Sequence, residues 1–152
     1  MKNDVIILIA EDDTGHFTLV KKNLARASLT NQILHFKDGQ EIVDFLFGKT
    51  AMPRFDPHIP YILLLDIRMP KIDGGEVLRR VKSDPTLRKI PVIMLTTTDD
   101  PSEIVRCYNL GCNFYIVKPA DYIEFMNAVE QLGRFLSLPA VQVAACAWPS
   151  DG

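Results

Sequence analysis

The sequence predicts an α/β fold, a doubly wound parallel sheet with helices on both faces. Three observations carry it. Short apolar runs alternate with stretches of helical periodicity along the whole chain. The runs show no polar alternation, as expected of strands buried on both faces of a parallel sheet. Two of them end in carboxylates, and open α/β sheets bind ligands in the crevice at the carboxyl ends of their strands. Five strands alternating with five helices, joined by right-handed crossovers, account for this order.

The first strand is Val5-Ile6-Ile7-Leu8-Ile9-Ala10, which runs straight into Glu11-Asp12-Asp13. Residues 14 to 28 place Phe17, Val20, Leu24 and Ala27 on one helical stripe. Gln32-Ile33-Leu34-His35-Phe36 is the second strand, and Asp38-Gly39 leads to a helix marked by Ile42, Val43, Phe45 and Leu46. Gly48 to Pro60, with Pro53 and Pro57, is a loop longer than usual between a helix and a strand. The third strand, Tyr61-Ile62-Leu63-Leu64-Leu65, runs into Asp66. Asp73-Gly74-Gly75 opens the third helix, which carries Val77, Leu78 and Val81 and stops at Asp84-Pro85. The charges from Lys82 to Lys89 read as a solvated helix end and loop. Pro91 to Thr96 is the fourth strand, and Pro101 suits the first turn of a helix bearing Ile104, Val105, Tyr108 and Leu110. Phe114-Tyr115-Ile116-Val117 is the fifth strand, ending at Lys118-Pro119. Asp121 caps a last helix with Phe125, Val129, Leu132 and Leu136 in register.

Composition excludes several classes. At 152 residues the chain is expected to hold one domain, 1–136, followed by a C-terminal extension, 137–152. A net charge of -2 gives no hint of nucleic-acid binding. No apolar run is long enough for a membrane span, and no secretory signal opens the chain, so a cytoplasmic protein is expected. Cys107, Cys112 and Cys146 are odd in number and lack metal-site spacing, which disfavours disulfides and zinc. His16, His35 and His58 also lack metal spacing and read as packed or solvated side chains.

Four strand ends carry polar residues of complementary kinds: Glu11 and Asp12, Asp66, Thr96, and Lys118. Clustered carboxylates repel one another unless a cation or a proton resolves them. Oxygen ligands suit magnesium, which keeps several waters. A hydroxyl and an ammonium suit the oxygens of a transferred phosphoryl group. An aspartate can itself be the nucleophile, forming an acyl phosphate.

Over residues 4 to 136 the chain resembles a response-regulator receiver domain. The matching pieces are Ile-Leu-Ile-Ala-Glu11-Asp12-Asp13, Leu-Leu-Leu-Asp66-Ile-Arg-Met-Pro70-Lys-Ile-Asp-Gly74, Pro91-Val-Ile-Met-Leu-Thr96-Thr97 and Tyr115-Ile-Val-Lys118-Pro119. The resemblance implies a flavodoxin-like sheet of order 2-1-3-4-5 and a signalling role, not that of an enzyme with a separate substrate. It makes Asp66 the phosphoacceptor, with Asp12, Asp66 and the Arg68 carbonyl as ligands to Mg²⁺ or Mn²⁺ and Glu11 approaching through water. Thr96 would bond a phosphoryl oxygen and Lys118 would pair with its charge, aimed by a cis peptide at Lys118-Pro119. Thr96 and Tyr115 would form the switch, the ring rotating as the hydroxyl moves. Arg68 and Thr98 stand at positions that tune acyl-phosphate lifetime in the family.

Phe45-Leu46 before the Pro-rich loop, Leu87 to Thr98, and Phe135-Leu-Ser-Leu-Pro139 are similar to single-domain receivers paired with bacterial and cyanobacterial phytochromes. That similarity implies a phytochrome histidine kinase as partner. It also implies a homodimer through the fourth helix, fifth strand and fifth helix, aided by the extension. With about sixteen residues after Leu136, no output domain is expected. Leu138, Val141, Val143 and Trp148 make the extension apolar enough to pack on the domain or on a partner. The alternatives are a chemotaxis-type motor regulator and an intermediate phosphorelay receiver serving another kinase. A metal-dependent phosphohydrolase usually needs a second aspartate where Arg68 stands, and a purely structural receiver would be expected to have a degraded acidic pocket.

Overall fold

The computed structural model describes residues 5–138. Strands β1 (Ile6–Ala10), β2 (Ile33–Phe36), β3 (Tyr61–Leu65), β4 (Val92–Thr96) and β5 (Phe114–Val117) form one parallel sheet in the order β2-β1-β3-β4-β5. Helices α1 (Thr14–Arg26), α2 (Gly39–Leu46), α3 (Gly74–Ser83), α4 (Pro101–Leu110) and α5 (Tyr122–Ser137) alternate with them. This is the flavodoxin-like order that the resemblance implies. The expected extension lies outside the described residues from 139 onward.

Period-two alternation divides each unbroken apolar run between two cores. Leu8, Ala10, Leu63, Leu65, Val92 and Met94 face α2, α3 and α4, where they meet Ile42, Phe45, Leu78 and Cys107. Ile7, Ile9, Ile62, Leu64, Ile93 and Leu95 face α1 and α5, where they meet Leu24, Phe125 and Val129. Full burial of each such Leu or Ile is worth about 1.5–3 kcal/mol. β5 is the exception. It lies at the sheet edge, with Phe114 and Val117 exposed.

Each of the five α-helices among the described residues follows an aspartate. Asp13, Asp38, Asp73, Asp100 and Asp121 each accept a first-turn backbone N–H. Such caps stabilise by about 1 kcal/mol each and fix where the chain turns from the carboxyl end of a strand into its helix. Gly74 sets one of these turns closely. Its N–H donates to the Ile67 carbonyl at 2.7 Å, and a Cβ there would fall 2.0 Å from the Asp66 carbonyl oxygen. Only glycine lets α3 dock this tightly on the backbone of Asp66.

Two local expectations need correction. The cis peptide among the described residues is Met52–Pro53, so Lys118–Pro119 is trans. The isomers of an X-Pro bond differ by only about 0.5–1 kcal/mol, so the dipeptide does not decide between them. Lys82, expected in solvent, is half-buried and donates to the carbonyls of Arg88 and Ile90 at 2.9 and 2.7 Å. Burial lowers its ammonium to about 8.

Candidate functional site

The carboxyl ends of β1, β3, β4 and β5 place four buried polar side chains in one depression: Glu11, Asp66, Thr96 and Lys118. Asp12 lies at its exposed rim. Carboxylate oxygens of Glu11, Asp12 and Asp66 lie within 4.8 Å of one another. Backbone pairing holds them there. The Asp66 N–H donates to the Ala10 carbonyl at 3.1 Å, and the Lys118 N–H to the Thr96 carbonyl at 2.7 Å.

Lys118 is the hub. Its Nζ donates to Glu11 Oε1, and to Asp66 Oδ2 at 3.4 Å. Its side chain is only 2% exposed, so these partners replace water. Burial pushes the Glu11 carboxyl up to about 7, against the lowering pull of Lys118, and the neighbouring Asp66 adds to the rise. Three clustered carboxyls, Glu11, Asp12 and Asp66, face one ammonium, an excess of acid that a cation or a proton resolves. The second Asp66 oxygen, Oδ1, is buried without a hydrogen-bond partner. A buried, partnerless carboxylate oxygen is costly unless a ligand takes it up. The donor set is all oxygen, which suits a hard divalent cation.

Around this core the remaining expected residues are partly engaged elsewhere. Thr96 Oγ1 accepts from the Thr98 N–H at 3.4 Å. Arg68 is exposed, and its Nε donates to Thr98 Oγ1 at 3.3 Å, so its side chain leans across the mouth of the depression. The Tyr115 hydroxyl donates to the Thr98 carbonyl at 2.6 Å. Burial pushes that phenol up to about 12. Tyr115 therefore connects β5 to the loop that follows Thr96.

Two histidines read as bystanders from spacing alone contact the site. His16 Nδ1 lies 3.3 Å from Lys118 Nζ. His35 Nε2 donates to the Glu11 carbonyl at 2.8 Å, its ring stacked on Phe17. A signal for His16 is present, since it stands one helical turn after Asp12, on a helix that starts at the pocket. For His35 the signal is weaker. It depends on β2 lying beside β1, with His35 opposite Ile9.

A parallel sheet of this order with acidic side chains at its strand ends is the architecture of a receiver-type signalling domain. The chain belongs to the response regulator receiver domain family, which it matches over residues 7–130. Among solved structures it is similar to a response regulator receiver domain from Rhodospirillum rubrum, at 45% identity and a TM-score of 0.82, covering 87% of this chain and 93% of that one. It is 30% identical over 139 residues to the response regulator Rcp1 of Synechocystis sp., covering 89% of this chain and 93% of Rcp1. The Mn²⁺-bound form of Rcp1 superimposes with a TM-score of 0.79 over 86% of this chain and 92% of that one. The phosphorylated cyanobacterial phytochrome response regulator RcpA is 32% identical, with a TM-score of 0.75, over 86% of this chain and 91% of that one. The chain is thus a receiver-domain signalling protein related to phytochrome response regulators. Among the described residues, no helix is long and apolar enough to cross a membrane.

Proposed function

We propose that Asp66 accepts a phosphoryl group from the phosphohistidine of a cytoplasmic histidine kinase of the phytochrome class. The observation that carries this reading is Asp66 Oδ1, buried and partnerless on a carboxylate whose other oxygen lies 3.4 Å from the Lys118 ammonium. The Asp66 carboxylate attacks phosphorus, a phosphorus–oxygen bond forms, and the phosphorus–nitrogen bond breaks with its electron pair staying on the kinase imidazole. Lys118 neutralises charge on the phosphoryl oxygens, and the Thr96 hydroxyl donates to one of them. Glu11 through water, Asp12, Asp66 and the Arg68 carbonyl would hold Mg²⁺, which supplies further neutralisation when bound. RcpA and Rcp1 support the phytochrome and metal parts of the reading.

The phosphoryl group adds about -1.5 to -2 charge. Drawn toward it, Thr96 shifts the loop whose Thr98 carbonyl holds Tyr115, and so alters the face made by α4, β5 and α5. That face is apolar and exposed at Val105, Phe114 and Phe135, which favours a second copy of the chain as its partner. The test is incubation with Mg²⁺ and acetyl phosphate, read on a phosphate-affinity gel. A base-labile adduct is expected that disappears with chelator or with Asp66→Asn. Its absence from the unaltered chain, or its persistence in Asp66→Asn, would refute the assignment.

A further inference from the structure

We propose that His16 is a positioning residue that sets the aim of Lys118, an inference that rests on the phosphoacceptor reading of Asp66. An ammonium has three N–H donors and nothing to accept with. Lys118 Nζ has three acceptors within reach: Glu11 Oε1, Asp66 Oδ2 at 3.4 Å and His16 Nδ1 at 3.3 Å. The Nδ1 lone pair is therefore the acceptor, which puts the ring proton on Nε2.

The imidazole is itself held. Its edge packs on Phe125 of α5, with ring centroids 5.7 Å apart and planes at 66°. Its backbone N–H donates to the Asp13 cap at 3.0 Å. The ring thus stands between the start of α1 and α5, above the lysine.

His16 differs in kind from the other two acceptors. Glu11 and Asp66 are carboxylates that draw the ammonium into the acidic cluster, whereas the imidazole is a neutral anchor outside it. When a phosphoryl group arrives at Asp66, the lysine must turn toward the new oxygens. Glu11 and His16 are then the contacts that remain to keep it in place. Without the imidazole, one N–H of a lysine 2% exposed has no partner, and the ammonium settles onto the Asp66 carboxylate. A lysine tied to the nucleophile is less available to the transferring group, and misplaced catalytic groups slow a reaction steeply.

Two substitutions separate the acceptor from the packing. His16→Phe keeps a ring against Phe125 and removes the lone pair. His16→Asn keeps an acceptor near the Nδ1 position and removes the ring. Both are compared with the unaltered chain for the rate of acetyl-phosphate labelling in saturating Mg²⁺, with circular dichroism as the control for folding. His16→Phe should label about tenfold more slowly, and His16→Asn within about threefold of the unaltered rate. Equal rates in all three chains, or an asparagine variant as slow as the phenylalanine variant, would overturn the inference and leave the Asp66 reading standing. If the unaltered chain takes no label, both fall. Should either variant fail to fold, the histidine ¹H–¹⁵N spectrum of the unaltered chain at pH 8 decides. The Nε2–H tautomer at His16 is expected, and an Nδ1–H tautomer overturns the contact.

Discussion

The pocket at the strand ends and the face of α4, β5 and α5 break the rule of apolar inside and polar outside in opposite directions. The pocket buries Glu11, Asp66, Thr96 and Lys118. The face leaves Val105, Tyr108, Phe114, Val117 and Phe135 exposed, beside an apolar groove of about 350 Å³ lined by β5 and α5. The pocket's polar groups are mostly satisfied by one another, and its one orphan among the described residues, Asp66 Oδ1, belongs to the carboxylate proposed to accept phosphate. The face has no such internal account, so its explanation lies in what covers it. A site is read from what it holds inside, and a surface from what it lacks outside.

The largest effect should come from the hub of the pocket. Lys118→Met removes the ammonium that serves Glu11 and Asp66, and loss of one such charge-stabilising donor costs about 10²–10³ in rate. Acetyl-phosphate labelling should fall by that factor while the oligomeric state stays the same. A labelling rate within tenfold of the original would break the account of the pocket.

On the face the expectation reverses. Phe114 and Phe135 meet edge to face at the surface, with centroids 5.6 Å apart. Replacing both by serine should weaken self-association at least tenfold in sedimentation equilibrium, equivalent to about 1.4 kcal/mol, and leave labelling within twofold. Unchanged association would remove the second copy as the partner of this face.

One side-chain hydrogen bond between the regions runs from Tyr115 to the loop after Thr96. Tyr115→Phe deletes the donor to the Thr98 carbonyl and should cost about 1 kcal/mol in urea unfolding. Labelling should continue, but phosphorylation-dependent amide shifts should stop at the loop after Thr96. If they still reach α4 and α5, the signal travels by another route.

How far the sequence exposed these two regions follows from how local each feature is. β1, β3 and β4 were legible because burial on both faces writes an unbroken apolar run, and the residues ending those runs necessarily emerge at one edge. The convergence of Glu11, Asp12 and Asp66 followed from that geometry. His16 and His35 were not legible, since their partners lie 102 and 24 residues away, across α1–β5 and β2–β1 contacts. Lys82 was misread for a related reason: its two carbonyl partners are on a turn that folds back over the end of α3. The proline isomers at positions 53 and 119 lie below what residue type can resolve.

The smallest effect lies between the two regions, at Cys107 on the buried side of α4. Its thiol is pushed up to about 11, by burial first, with Cys112, Glu103 and Asp73 adding to the rise and Arg106 opposing it. The unfolded thiol loses its proton near 9, so from about pH 9 to 11 the native state binds more protons than the unfolded one. Stability contributed by this group is fully present below pH 9 and declines as pH rises through that window. Lys82 acts with the opposite sign, because its lowered ammonium makes stability rise with pH above about 8. Tyr115, raised to about 12, adds to the decline above pH 10. Comparing urea midpoints of the unaltered chain and Cys107→Ala at pH 8, 9 and 10 isolates the thiol from both. The variant starts lower, because it leaves a cavity under α4, but should lose less stability between pH 9 and 10. Parallel losses in the two chains would mean that the thiol reaches solvent, and that α4 packs less tightly over the sheet than the buried position of Cys107 requires.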